Sequence, residues 1–501
     1  MSQDLPSKGH PRGLYVLFAT EMWERFNYYG MRAILILFMT KALLFDHAFA
    51  SNLYGSYTGL IYLTPLLGGF IADRFWGNHR SIIMGGIVMA VGEFILFFCG
   101  SLYQSAPQLS SLLFFSGLGL MIAGNGFFKP NISSLVGQLY PAKDIRKDAA
   151  YTIFYMGINV GGALGPFVCG LVGDTGDPAD FRWAFLAGGI GMVISVVVQL
   201  LYHHKYIVDP DKKILGLTPE GSPRAATNPL VMTVALVLLS CITIGLIYLD
   251  AKVFNYLFYL LIACILFIAY VVFTDKSLTK AEISRVGVIF IVSFFVIFFW
   301  SAFEQAGASL TFFAEEQTQR KIGSHTVPAS FFQSLNSTFV VCFAPLFAWL
   351  WIRLGKREPS APTKMALGLF LLALGYLWIA FGVKDVRPGI KVSMIWLTGM
   401  YAMHTCGELC LSPIGLSLVN KLSPFKFASL LMAVWFTANA FANKFAGLLS
   451  SLLPENGRTT SFLGYSMSNS YEFFMLFVFM AGLASLILFT LTRKLQRMMN
   501  A

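Results

Sequence analysis

Apolar residues run along this 501-residue chain in long blocks separated by short polar segments. A helix needs roughly 20 apolar residues to cross a bilayer. Fourteen blocks reach or approach that length, with cores at 14–40, 52–72, 81–101, 109–139, 149–173, 183–202, 229–249, 254–274, 284–311, 329–352, 364–383, 391–420, 427–453 and 471–495. The pattern predicts an all-α polytopic membrane protein. The first block breaks its own pattern, because Glu21, Glu24, Arg25 and Arg32 lie inside it. At about 100° per residue, Glu21, Arg25, Tyr28 and Arg32 share one narrow helix face, flanked by Glu24 and Tyr29. A charge at mid-membrane costs on the order of 2.5–3.5 kcal/mol on insertion scales, so four in one span mark an ion or substrate path.

Composition supports this reading: 56% of residues are hydrophobic and only 12% charged, far from globular usage. The net charge of +11 is spread between apolar blocks rather than clustered, which argues against a nucleic-acid partner and for topological bias. With both ends cytoplasmic, 23 of the 36 Lys and Arg residues fall on the cytoplasmic side and nine opposite, while Arg25, Arg32, Lys129 and Lys444 lie within spans. That split follows the positive-inside rule. The polar start, Met1–Gly13, precedes an apolar block too long for a cleavable leader. The seven cysteines show no CxxC or metal-type spacing and read as small buried hydrophobes.

The expected organisation is a cytoplasmic tail (1–13), a six-helix bundle (14–204), a polar linker (205–228), an inserted transmembrane hairpin (229–274), a second six-helix bundle (275–495) and a short tail (496–501). The hairpin carries almost no charge within its apolar cores and reads as filler against lipid. Two six-helix halves rocking about a midplane site are a common solution for alternating access. Between the second and third spans, Gly69-Phe70-Ile71-Ala72-Asp73-Arg74 resembles the cytoplasmic loop of the major facilitator superfamily, with Asp73 expected to accept bonds from a helix end.

Further blocks resemble the proton-dependent oligopeptide transporter family, bacterial type. Glu21-Met22-Trp23-Glu24-Arg25-Phe26-Asn27-Tyr28-Tyr29-Gly30 is similar to its ExxERFxYYG motif. Gly124 to Asn131, Phe154 to Gly161, and Gly407 to Pro413 resemble three further family blocks, in order. Trp300 with Glu304, Gln333 to Asn336, and Trp435-Phe436 resemble the seventh, eighth and eleventh core helices. The resemblance implies a major facilitator fold of six plus six helices with a two-helix insertion. It further implies a symporter importing di- and tripeptides with protons, working as a monomer in a bacterial inner membrane without a cofactor, driven by the proton gradient.

The chemistry suits such a cargo. A free peptide is a zwitterion, and Arg32 and Lys129 offer cations in the first half while Glu408 offers an anion in the second. A peptide engaging both ends bridges the halves and couples binding to closure. Asn159 and Asn336 add neutral donors and acceptors around the ammonium. Tyr28, Tyr29, Tyr62, Trp300, Trp435 and Phe436 form an apolar wall with polar handles for varied side chains. To this set of substrate contacts the resemblance adds Tyr155 and Ser412.

Proton coupling needs a carboxylate whose ion pair can open, since pairing holds it ionised and desolvation favours protonation. Glu21 and Glu24 beside Arg25, with Lys129 as partner, fit this role, and Glu304 is a second candidate. Where some family members carry an arginine near the second helix, ungapped comparison from Tyr62 places His47, with Lys41 as the alternative cation; Gly55 stands where others have a histidine. Glu93 reads as a structural pairing, His404 as a packed ring, and Lys444 as a side chain snorkelling to the outer interface. The Lys129-Pro130 and Ser412-Pro413 pairs are candidate helix hinges. A carrier of another small anion such as nitrate is the rival reading; it would use the cations but has no need of Glu408. Among the seven histidines there is no nucleophile–base set or metal-ligand pair, so an enzyme is not expected.

Overall fold

The structure is a computed structural model describing residues 9–500, apart from 142–143, 145, 220, 224–227, 253–255, 387–388 and 456. Lys8, Lys143, Arg224 and Arg387 of the expected charge bias, and parts of the expected tail and linker, lie outside the described residues.

The chain forms α1 (Arg12–Lys41), α2 (His47–Ile71), α3 (Asn78–Leu102), α4 (Pro107–Gln138), α5 (Arg146–Gly173), α6 (Phe181–Tyr206), α7 (Pro229–Lys252), α8 (Tyr256–Phe273), α9 (Lys280–Phe303), α10 (Ser309–Glu316), α11 (Phe332–Leu354), α12 (Ala361–Val383), α13 (Met394–Leu422), α14 (Ala428–Ser450) and α15 (Ser470–Met499). Among the described residues, ten helical segments are long and apolar enough to cross a membrane on length and composition alone. The chain is a multi-pass membrane protein. The long helices that miss that criterion are α1, α2, α13 and α14. Three of them carry charges mid-helix, at Glu21 to Arg32, Glu408 and Lys444, and α2 is rich in Gly, Ser and Tyr. These same helices bear most of the candidate site residues.

Helix ends follow ordinary capping chemistry. Thr279 and Glu282 form a reciprocal capping box at the start of α9, and Asn469 accepts from the Glu472 amide (2.9 Å) to start α15. The expected ninth span, 284–311, is interrupted. Helix α9 stops at Phe303, a 3-10 turn follows at Glu304–Gly307, and α10 begins only at Ser309. Ala308 has a non-helical backbone (φ −131°, ψ −101°). Gln305 stitches the break, donating from Nε2 to the Ser301 and Ala446 carbonyls (3.0 Å each) and accepting from Ser309 (2.6 Å). Both proline pairs singled out as hinges lie inside continuous helices, Pro130 in α4 and Ser412-Pro413 in α13.

Two compact units emerge from packing. The first comprises residues up to Arg32 with Thr64–Leu246, and the second comprises Ala33–Leu63 with Ile247–Ala501. In the first, the inserted α7 buries Met232 and Leu236 against Trp76 and Phe127. In the second, β1 (Thr318–Gln319) pairs in parallel with β4 (Val392–Ser393), and the hairpins β2 (Lys321–Ile322) with β3 (His325–Thr326) and β5 (Thr460–Phe462) with β6 (Tyr465–Met467) form between helices. Asp73 does not cap a helix as expected. Its side chain is exposed and makes no hydrogen bond among the described residues, because Ala72–Trp76 forms a π-helical turn that carries it outward.

Candidate functional site

In the first unit, the charged face of α1 is sealed from solvent: Glu21, Glu24 and Arg25 are each at most 2% exposed. Arg25 Nε lies 3.0 Å from Glu21 Oε1 and 2.5 Å from Glu24 Oε2. One guanidinium thus serves two carboxylates. Lys129 on α4 contributes attraction to both acids, and Asn125, one turn earlier on the same helix, donates to Glu24 (3.3 Å). Glycine makes this geometry. A Cβ at Gly161 of α5 would stand 2.2 Å from the Met22 carbonyl and 2.9 Å from Arg25 Cβ, so only glycine lets α5 lie against this face.

Higher on α1, Arg25 lies over the Tyr28 ring (5.4 Å) and Arg32 over the Tyr29 ring (5.6 Å), contacts that offset part of the cost of burying a cation. Arg32 is buried and Tyr29 half-buried. On α5, Asn159 is buried and donates to the Tyr155 carbonyl of its own helix (2.9 Å), while the Tyr155 ring is exposed. Glu93 is fully buried and takes a bond from Asn27 (2.8 Å), an amide rather than a cation.

In the second unit, Glu408 on α13 accepts from Asn336 Nδ2 of α11 (2.8 Å), and the same amide group reaches Thr405 Oγ1 (3.1 Å). Glu304, at the break after α9, is buried and adds repulsion at Glu408. Trp300 packs edge-on against Phe299 and Phe303. Trp435 of α14 is buried with its ring at Gly415, where a Cβ would come within 2.2 Å. Tyr62, Ser412 and Phe436 are half-buried.

Two sequence expectations change here, at Lys444 and at the candidate gate cations. Lys444 does not snorkel: its side chain is wholly buried, and Nζ contacts Asp250 Oδ2 at 2.6 Å. The hairpin therefore does bring a charge into the membrane region, at the end of α7. His47 stacks on Phe312 (3.9 Å) and contacts Glu316 and Glu455, and Lys41 pairs with Glu315 (2.6 Å), so both candidate gate cations engage acids at the end of α10 or in the loop after α14. His404 packs its ring on Tyr376 (4.7 Å). Sequence reasoning also passed over Asn125 and Thr405. Asn125 was findable, since it sits four residues before Lys129 and so on the same helix face.

Comparison with known proteins places the chain in context. The POT family model matches residues 79–463. The chain is 36% identical to the uncharacterized transporter YclF of Bacillus subtilis, over 92% of both chains. It is 34% identical to the peptide transporter YePEPT of Yersinia enterocolitica (88% of each) and 33% identical to a di-/tripeptide transporter of Lactococcus lactis (86% of this chain, 87% of that one). Among solved structures it is similar to a peptide transporter POT mutant in complex with alafosfalin, with TM-score 0.82, 31% identity and coverage of 99% and 97%. It is equally similar to a POT family transporter in complex with 5-aminolevulinic acid, with TM-score 0.82, 30% identity and coverage of 98% and 99%.

Proposed function

The chain belongs to the POT family, and from that premise we propose that it is a secondary active symporter importing di- and tripeptides together with protons by alternating access. Its relatives carry peptide-transporter names over most of their length, which favours peptides over nitrate and transport over enzymatic activity. The observation that carries the reading is Glu408, a buried carboxylate held by the Asn336 amide and lacking a cation in that pairing. An acid so placed is suited to a substrate ammonium. Arg32 and Lys129 in the first unit are suited to the opposite end, the peptide carboxylate. Tyr28, Tyr29, Tyr62, Tyr155, Asn159, Trp300, Ser412, Trp435 and Phe436 complete the substrate contacts. Glu21, Glu24, Arg25 and Lys129 form the proton-coupling set, with Glu304 the second acid near Glu408. The protein works as a monomer in a bacterial inner membrane with both termini cytoplasmic, driven by the proton gradient and without a cofactor.

The test is dipeptide binding to Glu408→Gln. A buried ammonium left without its anion loses a charge-assisted bond, so affinity for a dipeptide with a free amino end should fall by at least about tenfold. A peptide acetylated at its amino end, which brings no ammonium, should lose far less. Near-wild-type affinity for the unmodified dipeptide would remove Glu408 from the site.

A further inference from the structure

Within the second unit, Lys444 of α14 and Asp250 of α7 form a buried ion pair that the coupling and substrate residues do not use. Lys444 Nζ contacts Asp250 Oδ2 and Ser56 Oγ of α2, each at 2.6 Å, and Ser56 is also bonded to Asp250. Asp250 is 3% exposed and Lys444 0%. The other oxygen of Asp250 accepts from the Leu257 amide of α8 (3.3 Å), so the same carboxylate closes the inserted hairpin. The Phe258 ring of α8 lies 5.9 Å from the ammonium.

The cluster sits where α2 and α14 cross as tightly as backbones can. A Cβ on Gly55 would stand 2.7 Å from Gly447 Cα, and one on Gly59 would be 3.0 Å from the Ala440 carbonyl. Ser51 and Ser450 bond across the same seam at 3.0 Å. Well-packed apolar side chains would often hold such a crossing as well as a buried ion pair or better, so the pair is not explained by stability. Charges inside a membrane instead mark working parts.

We propose that Asp250 and Lys444 are positioning residues for transport. Their ion pair ties the inserted hairpin to the α2–α14 crossing, so that the hairpin sets the placement of α14, which bears Trp435 and Phe436, instead of filling space against lipid. The proposal rests on the transport reading, since α14 matters here as a substrate-bearing helix.

Four variants test it in proteoliposomes: Asp250→Asn, Lys444→Met, the two combined, and the exchange Asp250→Lys with Lys444→Asp. Each single variant is expected to slow maximal dipeptide uptake at least about tenfold while KM stays within about twofold, the split that separates positioning from substrate contact. The neutral double variant, which leaves no orphan charge and so keeps the fold, is expected to remain slow. Hydrogen exchange of residues 440–450 in detergent should quicken at least about tenfold in it. The exchanged pair is expected to regain most of the rate. A neutral double variant with wild-type rate and protection overturns the proposal, as does a folded exchanged pair as slow as the singles. If the wild-type protein takes up no dipeptide, the transport reading fails, and the hydrogen exchange still decides whether the pair ties the hairpin to α14.

Discussion

Glu24 has the least freedom of the charged residues on α1: it is fully buried, 2.5 Å from Arg25, and bonded by Asn125. Replacing it by Gln keeps size and one acceptor but removes the charge that can take up a proton. Glu24→Gln is therefore expected to retain exchange of labelled for unlabelled peptide while losing uphill uptake driven by a pH gradient, measured side by side in the same vesicles. Full gradient-driven uptake would move the proton to another acid, Glu304 first. In the loop after α14, burial together with repulsion from Glu316 and Asp46 raises the Glu455 carboxyl to about 7, against a smaller pull from Arg458. This carboxyl lies against the His47 ring. An acid whose folded pKa is raised binds its proton more tightly in the folded chain. Its contribution to stability is therefore present at pH 5 and lost as pH rises toward 7.5. The unfolding temperature of the wild type is expected to fall more steeply over that interval than that of Glu455→Gln, and parallel curves would contradict this. The α1 charges were legible in the sequence because they interrupt an apolar run. The partner of Lys444 was not, because Asp250 lies 194 residues away, at the end of a helix whose interior is uncharged.

At the scale of elements, hydrophobic blocks alone located the long helices, since spanning length is a physical requirement of the bilayer. They could not show the break after Phe303, because Glu304 and Gln305 are compatible with a continuing helix and the stitch depends on Gln305 meeting the Ala446 carbonyl on a distant helix. Close helix packing was also hidden, since a glycine at a crossing reads like any other glycine. The contact of α5 with α1 gives an experiment at this scale. Gly161→Ala would place a methyl against the Met22 backbone carbonyl, which cannot rotate aside. A loss of about 1–3 kcal/mol in stability is expected from such overpacking. Gly245→Ala, where nothing lies within 4 Å, should be neutral. Equal unfolding temperatures for the two variants would mean that the α1–α5 contact yields more than its geometry suggests.

Over the whole molecule, the charges proposed for the two ends of a peptide fall in different units, with Arg32 and Lys129 in one and Glu408 in the other. A zwitterionic peptide asks for both, and a proton-linked carrier asks in addition for the paired acids of α1. This division was legible from sequence as charge type and position within apolar blocks. The bonds that hold each acid, from Asn336 and Asn125, needed the fold. The central claim is that a proton gradient drives peptide into the cell through this chain. The most direct measurement is uptake of labelled dialanine into proteoliposomes whose exterior is made acidic. The expected result is transient accumulation above the external concentration, abolished by a protonophore, blocked by excess dipeptide and untouched by nitrate. Uptake no greater than in protein-free vesicles, or uptake that nitrate blocks and dipeptide does not, would contradict it.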